Sequence, residues 1–198
     1  MNLSFTTPQQ RHPETTHLAA GSSGFTIATA VPEDLPKIAD ILTESFHGPN
    51  DPMCWLNPLL RVGIHEDLRT RLRSRSPHYI CLVAVTPSPV REAIATVEMA
   101  LRSPHPWPLD TSSFPYLSNL AVAPHSRRRG AARHLLLACE EIAREWGYQE
   151  LYLHVLENNR PARRLYFKMG YRLRQVDWSW GAWLFGQPRR LLLHKSLH

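Results

Sequence analysis

Cysteine is scarce in this 198-residue chain: Cys54, Cys81 and Cys139 stand far apart, in odd number and in no CxxC pair. That argues against a disulfide framework and against a structural zinc, and it favours a reducing compartment with the thiols as core residues. Long apolar runs are also missing. The hydrophobic segments are short, interrupted by polar residues and by 17 prolines, and none approaches the roughly 18 residues of a membrane-crossing helix. A soluble protein with no membrane partner is expected. Neither a Gly-Lys-Ser/Thr loop nor GxGxxG occurs, which removes the Walker loop and the dinucleotide-binding turn. No internal repeat is visible.

What the chain does have is positive charge: a formal +6 and a pI near 9.6, so an anionic partner is expected. Position says more than the total. Arg127, Arg128, Arg129 and Arg133 crowd one stretch and Arg160, Arg163 and Arg164 a second. Two compact clusters suit a small polyanion such as a phosphorylated cofactor. A nucleic-acid-binding module is the rival reading, disfavoured because no aromatics are interleaved along a basic strand face and no recognition helix stands out.

Residues 1–24, rich in Ser, Thr, Gln, His and Pro, offer almost nothing to bury and are expected to form a mobile tail; the folded domain is expected over 25–198. The tail has neither the apolar core of a secretory signal nor the arginines of a transit peptide. A bacterial cytoplasmic protein is expected, with the plastid stroma as the alternative. Phe25 to Val31 reads as a strand, and Pro32-Glu33-Asp34 opens a helix. A second helix is predicted from Leu59 to Arg73, then strands at Tyr79 to Val85, Ala93 to Leu101 and Tyr116 to Val122, with a proline-rich loop from Ser103 to Ser113. Arg129 to Trp146 is amphipathic, Leu135, Cys139, Ile142 and Ala143 lying opposite Glu140, Glu141, Arg144 and Glu145. A strand at Leu151 to Leu156, a short helix at Pro161 to Lys168, and strands at Tyr171 to Val176 and Leu191 to His194 complete the order. This is an α/β (α+β) layout, mostly antiparallel at first, with a strand-helix-strand crossover at its centre.

The strand ending at Val122 runs into Arg127-Arg128-Arg129-Gly130-Ala131-Ala132 at a helix start. Such a start exposes unpaired N–H groups and the positive end of the helix dipole, and the small residues let a phosphate reach that backbone. The segment resembles the Arg/Gln-x-x-Gly-x-Gly/Ala motif of the GCN5-related N-acetyltransferases (GNAT family). The stretch from Asn158 through Arg160-Pro161-Ala162 and Leu165-Tyr166 to Gly170-Tyr171 resembles that family's second signature, in the right order. Trp55-Leu56-Asn57-Pro58, Gly63-Ile64-His65-Glu66-Asp67-Leu68 and Leu153-His154-Val155-Leu156-Glu157-Asn158-Asn159 are similar to plant plastid members and their cyanobacterial relatives, which are associated with acetylating protein N-termini and lysines.

The resemblance implies a GNAT fold: a central mixed, mostly antiparallel twisted sheet flanked by helices. It also implies acetyl-CoA as co-substrate, no metal, and a protein or peptide amine as acceptor in a monomer or homodimer. Small amines such as polyamines or arylalkylamines are the alternative acceptors, and a silent CoA-sensing protein the alternative class. By the same resemblance Leu120, Ala121 and Val122 align the acyl end of the cofactor, with the Val122 N–H near the thioester oxygen. Arg127, Arg128, Arg129, Gly130, Ala131, Ala132 and Arg133 hold the pyrophosphate, Asn159 contacts the pantetheine arm, and Tyr166 is the general acid, its phenol close in basicity to a thiolate. The base is left open among His154, Tyr116 and water. Strand alternation predicts Tyr116, Ser118 and Leu120 on one face and Tyr152, His154 and Leu156 on one face of the neighbouring strand. Glu66 and Asp67 are candidates to face a cationic acceptor and the Trp107 loop to cover it; the cluster of Trp178, Trp180 and Trp183 is a candidate either to close the acceptor groove or to build a subunit contact, and Glu157 is an alternative site residue whose place beside the Asn pair suggests a turn role.

Overall fold

The β4 to β5 crossover organises this molecule, whose computed structural model describes residues 24–46, 57–74, 76–87, 91–103, 113–177 and 188–198. Strand β1 (Thr26–Thr29) passes through a 3-10 turn at Pro32–Asp34 into helix α1 (Leu35–Phe46), and helix α2 (Asn57–Arg73) follows. Strands β2 (Tyr79–Thr86), β3 (Glu92–Arg102) and β4 (Phe114–Val122) come next. After a second 3-10 turn come α3 (Ala131–Glu145), β5 (Glu150–Leu156), α4 (Arg160–Lys168), β6 (Arg172–Asp177) and β7 (Arg190–Ser196). Among the described residues these elements match the order that the sequence predicts, their ends moving by a residue or two.

The seven strands form one sheet in the order β1-β2-β3-β4-β5-β7-β6. Every neighbouring pair is antiparallel except β4 and β5, which the crossover through α3 makes parallel. Helices cover both faces. Leu135, Leu136, Cys139 and Ala143 of α3 and Tyr166 of α4 meet Val97, Met99, Leu117, Leu153 and Leu193 in one core. Leu35, Ile38, Ile41 and Leu42 of α1 and Leu68 of α2 meet Cys81, Val83 and Val85 in the other. Burying each large aliphatic side chain stabilises the fold by about 1.5–3 kcal/mol. Cys81 and Cys139 are buried free thiols, and desolvation pushes the Cys81 thiol up to about 12; Cys54 lies outside the described residues.

Two sequence expectations fail here, each for a tertiary reason. Glu140 does not face solvent: it is 2% exposed because β7 carries Lys195 over α3, where its Nζ donates to Glu140 Oε2 at 2.6 Å. Leu120 does not share a face with Tyr116. Thr96 pairs with Ala121 and Glu98 with Ser118, so Asn119 and Leu120 together stand opposite Val97. This bulge inserts one residue and reverses the alternation after it. Leu120 consequently packs on the α3 side, whereas Ala121 enters the α1/α2 core.

Candidate active site where two parallel strands part

Strands β4 and β5 pair only at Tyr116 with Tyr152 and at Leu117 with Leu153. Immediately beyond comes the bulge, with Asn119 at φ 54°, and the two strands separate. Helices α3 and α4 start just beyond the C-terminal ends of these parallel strands, so both positive helix ends lie at the same end of the sheet. Ligands of α/β sheets favour this kind of place. The bulge is braced from the α1/α2 side. Glu98, 1% exposed, accepts hydrogen bonds from the Asn119 side-chain amide, the Tyr79 hydroxyl at 2.9 Å and the Arg71 guanidinium at 3.2 Å.

One face of the gap carries three linked side chains. The Tyr116 hydroxyl lies 2.8 Å from His154 Nδ1, and His154 Nε2 lies 3.0 Å from Asp177 Oδ2. Arg102 stacks its guanidinium over the Tyr116 ring, 3.8 Å from the centroid. Burial pushes the His154 imidazolium below its ordinary pKa and Arg190 adds to this; Asp177 opposes them without cancelling them. His154 is therefore neutral near pH 7 and has a lone pair to offer.

The other face carries Tyr166. It is buried on α4 and packs edge-on against Tyr171, with ring centroids 5.8 Å apart. Burial pushes its phenol above the ordinary range, and the nearby Tyr116 acts in the same direction. The coupling runs across the sheet: α4 packs on the α3 side with Leu117, and alternation turns the Tyr116 ring to the other face. At any working pH Tyr166 keeps its proton.

The open edge of β4 offers backbone donors. The Ala123 N–H donates to Ile94 O on β3 at 2.8 Å. Backbone groups alternate sides along a strand, so the Val122 N–H points away from β3, into the gap. Arg127 Nε confirms the direction by donating to the Val122 carbonyl at 3.2 Å. Beyond it Arg128 at φ 67° and Gly130 at φ 90° turn the chain into α3, whose first turn has no side-chain cap. Uncapped amides, small Ala131 and Ala132, and the exposed Arg127, Arg128, Arg129 and Arg133 together fit a pyrophosphate.

Other sequence candidates have different work. Asn159 caps α4, its Oδ1 accepting from the Ala162 N–H at 3.2 Å. Asp67 pairs with Arg71 at 2.7 Å and Glu66 with Arg69 at 3.5 Å, the solvated face of an ordinary helix. Glu157 makes a two-pronged ion pair with Arg189, both contacts at 2.7 Å, in keeping with a turn role. Trp107, Trp178, Trp180 and Trp183 lie outside the described residues. Sequence reasoning missed Asp177, Arg102 and the Glu98–Asn119 brace. Asp177 reaches His154 only because β7 inserts between β5 and β6, an order that local pattern does not reveal.

Comparison with known proteins gives a consistent answer. Residues 36–171 match the Acetyltransferase (GNAT) family. The chloroplastic GCN5-related N-acetyltransferase 10 of Arabidopsis thaliana is 27% identical over 178 residues, 82% of this chain and 68% of the relative. GCN5-related N-acetyltransferase 7, chloroplastic, from the same plant is 37% identical over 82 residues, 41% of this chain and only 30% of that relative. Among solved structures, the PaiA N-acetyltransferase of Thermoplasma acidophilum in complex with coenzyme A superposes with a TM-score of 0.66 at 21% identity, covering 87% of this chain and 98% of its own. The NatC complex bound to Gag peptide and CoA gives 0.65 at 16%, covering 88% and 99%. At these identities the structures speak for the fold alone; together with the family match over 36–171, they show that the chain belongs to the GNAT family of acetyltransferases.

Proposed function

We propose that the chain is an acetyl-CoA-dependent N-acetyltransferase that acetylates protein amines, N-terminal or lysine, by direct transfer. One observation carries the reading: the parted strands set a neutral His154–Tyr116 pair on one face and a protonated Tyr166 on the other, beside an uncapped, arginine-rich helix start. Acetyl-CoA would supply the acetyl group as a thioester. The amides and guanidinium groups from Arg127 to Arg133 hold its diphosphate, and Leu120, Ala121 and Val122 line the way to the gap. The bulge leaves Ala121 a backbone role, its side chain being turned to the α1/α2 core. Asn159 contributes mainly by fixing the start of α4 and, with it, Tyr166.

Direct transfer needs a neutral amine, a donor for the developing oxyanion and an acid for the leaving thiolate. His154, through Tyr116, takes the proton of the acceptor amine. The Val122 N–H is the oxyanion donor, and the Tyr166 hydroxyl gives its proton to the sulfur. The sequence resemblance to plastid-type members favours protein acceptors; of the two expected settings, the likeness to chloroplastic relatives supports the plastid stroma.

The test is acetyl transfer from acetyl-CoA to synthetic peptides with a free α-amine, to peptides with a lysine only, and to spermidine and an arylalkylamine, read by mass spectrometry. Acetylated peptides are expected. Acetylation confined to the free small amines would overturn the protein-amine reading while leaving the chemistry intact.

A further inference from the structure

His154 has two ring nitrogens, and both are engaged: Nδ1 with the Tyr116 hydroxyl at 2.8 Å and Nε2 with Asp177 Oδ2 at 3.0 Å. An ionised carboxylate only accepts hydrogen bonds. Whichever nitrogen faces Asp177 therefore carries the ring proton, and in the neutral ring the other presents a lone pair. We infer that Asp177 is a positioning residue for acetyl transfer: it holds His154 as the Nε2–H tautomer, so that the Nδ1 lone pair faces the Tyr116 hydroxyl. The inference rests on the functional reading above, in which His154 and Tyr116 deprotonate the acceptor.

The placement is a product of strand order. His154 on β5 is in register with Leu192 of β7, and Asp177 on β6 with Arg190 of β7; the imidazole thus extends across an intervening strand to its partner. Asp177 is itself oriented, since Gln175 Nε2 donates to its Oδ1 at 3.3 Å. The groups acting on His154 come from every neighbouring strand: Tyr116 from β4, Arg102 from β3, Arg190 from β7 and Asp177 from β6. Only Asp177 among them favours the protonated ring.

Proton movement balances without another reactant. As the acceptor's ammonium proton passes to the Tyr116 oxygen, directly or through water, the phenolic proton moves to His154 Nδ1. The ring becomes an imidazolium protonated on both nitrogens and paired with the Asp177 carboxylate, and it later returns one proton to solvent. Only N–H and O–H bonds change, and the amine keeps its lone pair for attack. With the other tautomer Nδ1 would carry a hydrogen towards Tyr116 and could not take the phenolic one.

Two measurements test this. Nitrogen-15 NMR of His154 in the wild-type enzyme at neutral pH should show a protonated Nε2 and a bare Nδ1; a protonated Nδ1 overturns the inference without any variant. The pH profile of kcat/KM is then compared for wild type, Asp177→Asn and His154→Gln, with acetyl-CoA and a synthetic peptide carrying a free α-amine and one lysine. Asp177→Asn should lower kcat about 10- to 100-fold, within the range of a base that has lost its orientation, move the acid limb to lower pH, and leave the KM for acetyl-CoA unchanged. His154→Gln should abolish that limb. If the limb disappears in His154→Gln but Asp177→Asn keeps wild-type kcat and limb, the positioning role alone is wrong. If the limb survives in His154→Gln, the base assignment is wrong and the positioning role falls with it.

Discussion

Asn119 donates its side-chain amide to Glu98 while holding a backbone φ of 54°, so the residue that breaks the β3/β4 ladder is tied down by a buried carboxylate. The left-handed conformation costs a non-glycine residue about 1–2 kcal/mol, and the hydrogen bond to a charged acceptor returns about 1.5–3 kcal/mol. Asn119→Gly and Asn119→Ala separate these terms. Glycine loses the bond but relieves the strain, whereas alanine loses the bond and keeps the strain. Chemical denaturation should rank them wild type, Gly, Ala, with Ala lower than Gly by about 1 kcal/mol. Equal stability for Gly and Ala would show that the conformation is not strained.

Removing the Tyr166 hydroxyl tests the acid. Its ring packs in the core beside Tyr171, so Tyr166→Phe should fold with an unchanged Tm. kcat should fall about 100-fold, the usual lower bound for losing an acid catalyst, and coenzyme A affinity by calorimetry should not change. Near wild-type turnover would assign the proton to another donor.

The turn before α3 links conformation to binding. A Cβ on Gly130 would meet only the His134 ring, Nδ1 at 3.6 Å and Cε1 at 3.7 Å, so space is available but φ 90° is hostile to a side chain. Gly130→Ala should cost about 1–2 kcal/mol of stability and disturb the amides that meet the diphosphate. Arg128 also has positive φ, and there glycine is the tolerated change. Arg128→Gly should leave stability within about 1 kcal/mol yet weaken coenzyme A binding about tenfold through one lost charge-assisted contact. Calorimetry with coenzyme A decides: full affinity in Arg128→Gly would remove that arginine from the phosphate site.

The charge around His154 makes opposite predictions at two positions. Arg190 lowers its pKa and Asp177 raises it, so Arg190→Gln should carry the acid limb of kcat/KM up towards 6.5, where Asp177→Asn carries it down. Because the folded His154 titrates below the unfolded value, the unfolded chain binds more protons in between. Stability should therefore rise with pH through the window that ends near 6.5, and His154→Gln should flatten that rise. A limb unmoved by Arg190→Gln would mean that it reports another group.

Half-buried Lys195 pairs with buried Glu140 at 2.6 Å, and Lys195 also lies 5.8 Å from the Tyr171 ring centroid. Lys195→Met strands a carboxylate in the core and should cost about 3–5 kcal/mol. The double change Lys195→Met with Glu140→Leu should recover most of it. A single variant as stable as wild type in urea would show that Glu140 is protonated or hydrated without its partner.

Local pattern was enough to read the elements, because apolar periodicity and proline and glycine punctuation depend on nearby residues. It revealed the helix opened by Pro32-Glu33-Asp34, the α3 face of Leu135 and Cys139, and the helix start around Gly130. The spacing from Arg127 to Tyr171 also carried the family resemblance, since phosphate binding by a helix start uses adjacent residues. What spans strands was not legible. Leu120 was misassigned because a one-residue bulge reverses alternation without leaving a composition signal, and Glu140 because its partner arrives from β7, at the other end of the chain. Asp177 joins His154 only once β7 has inserted between β5 and β6. The sequence alone determined which chemical groups the chain carries and the helices and strands on which they sit; tertiary structure decided which of them meet, because hydrogen-bond and charge partners depend on strand order and register that residues far apart in the chain set together.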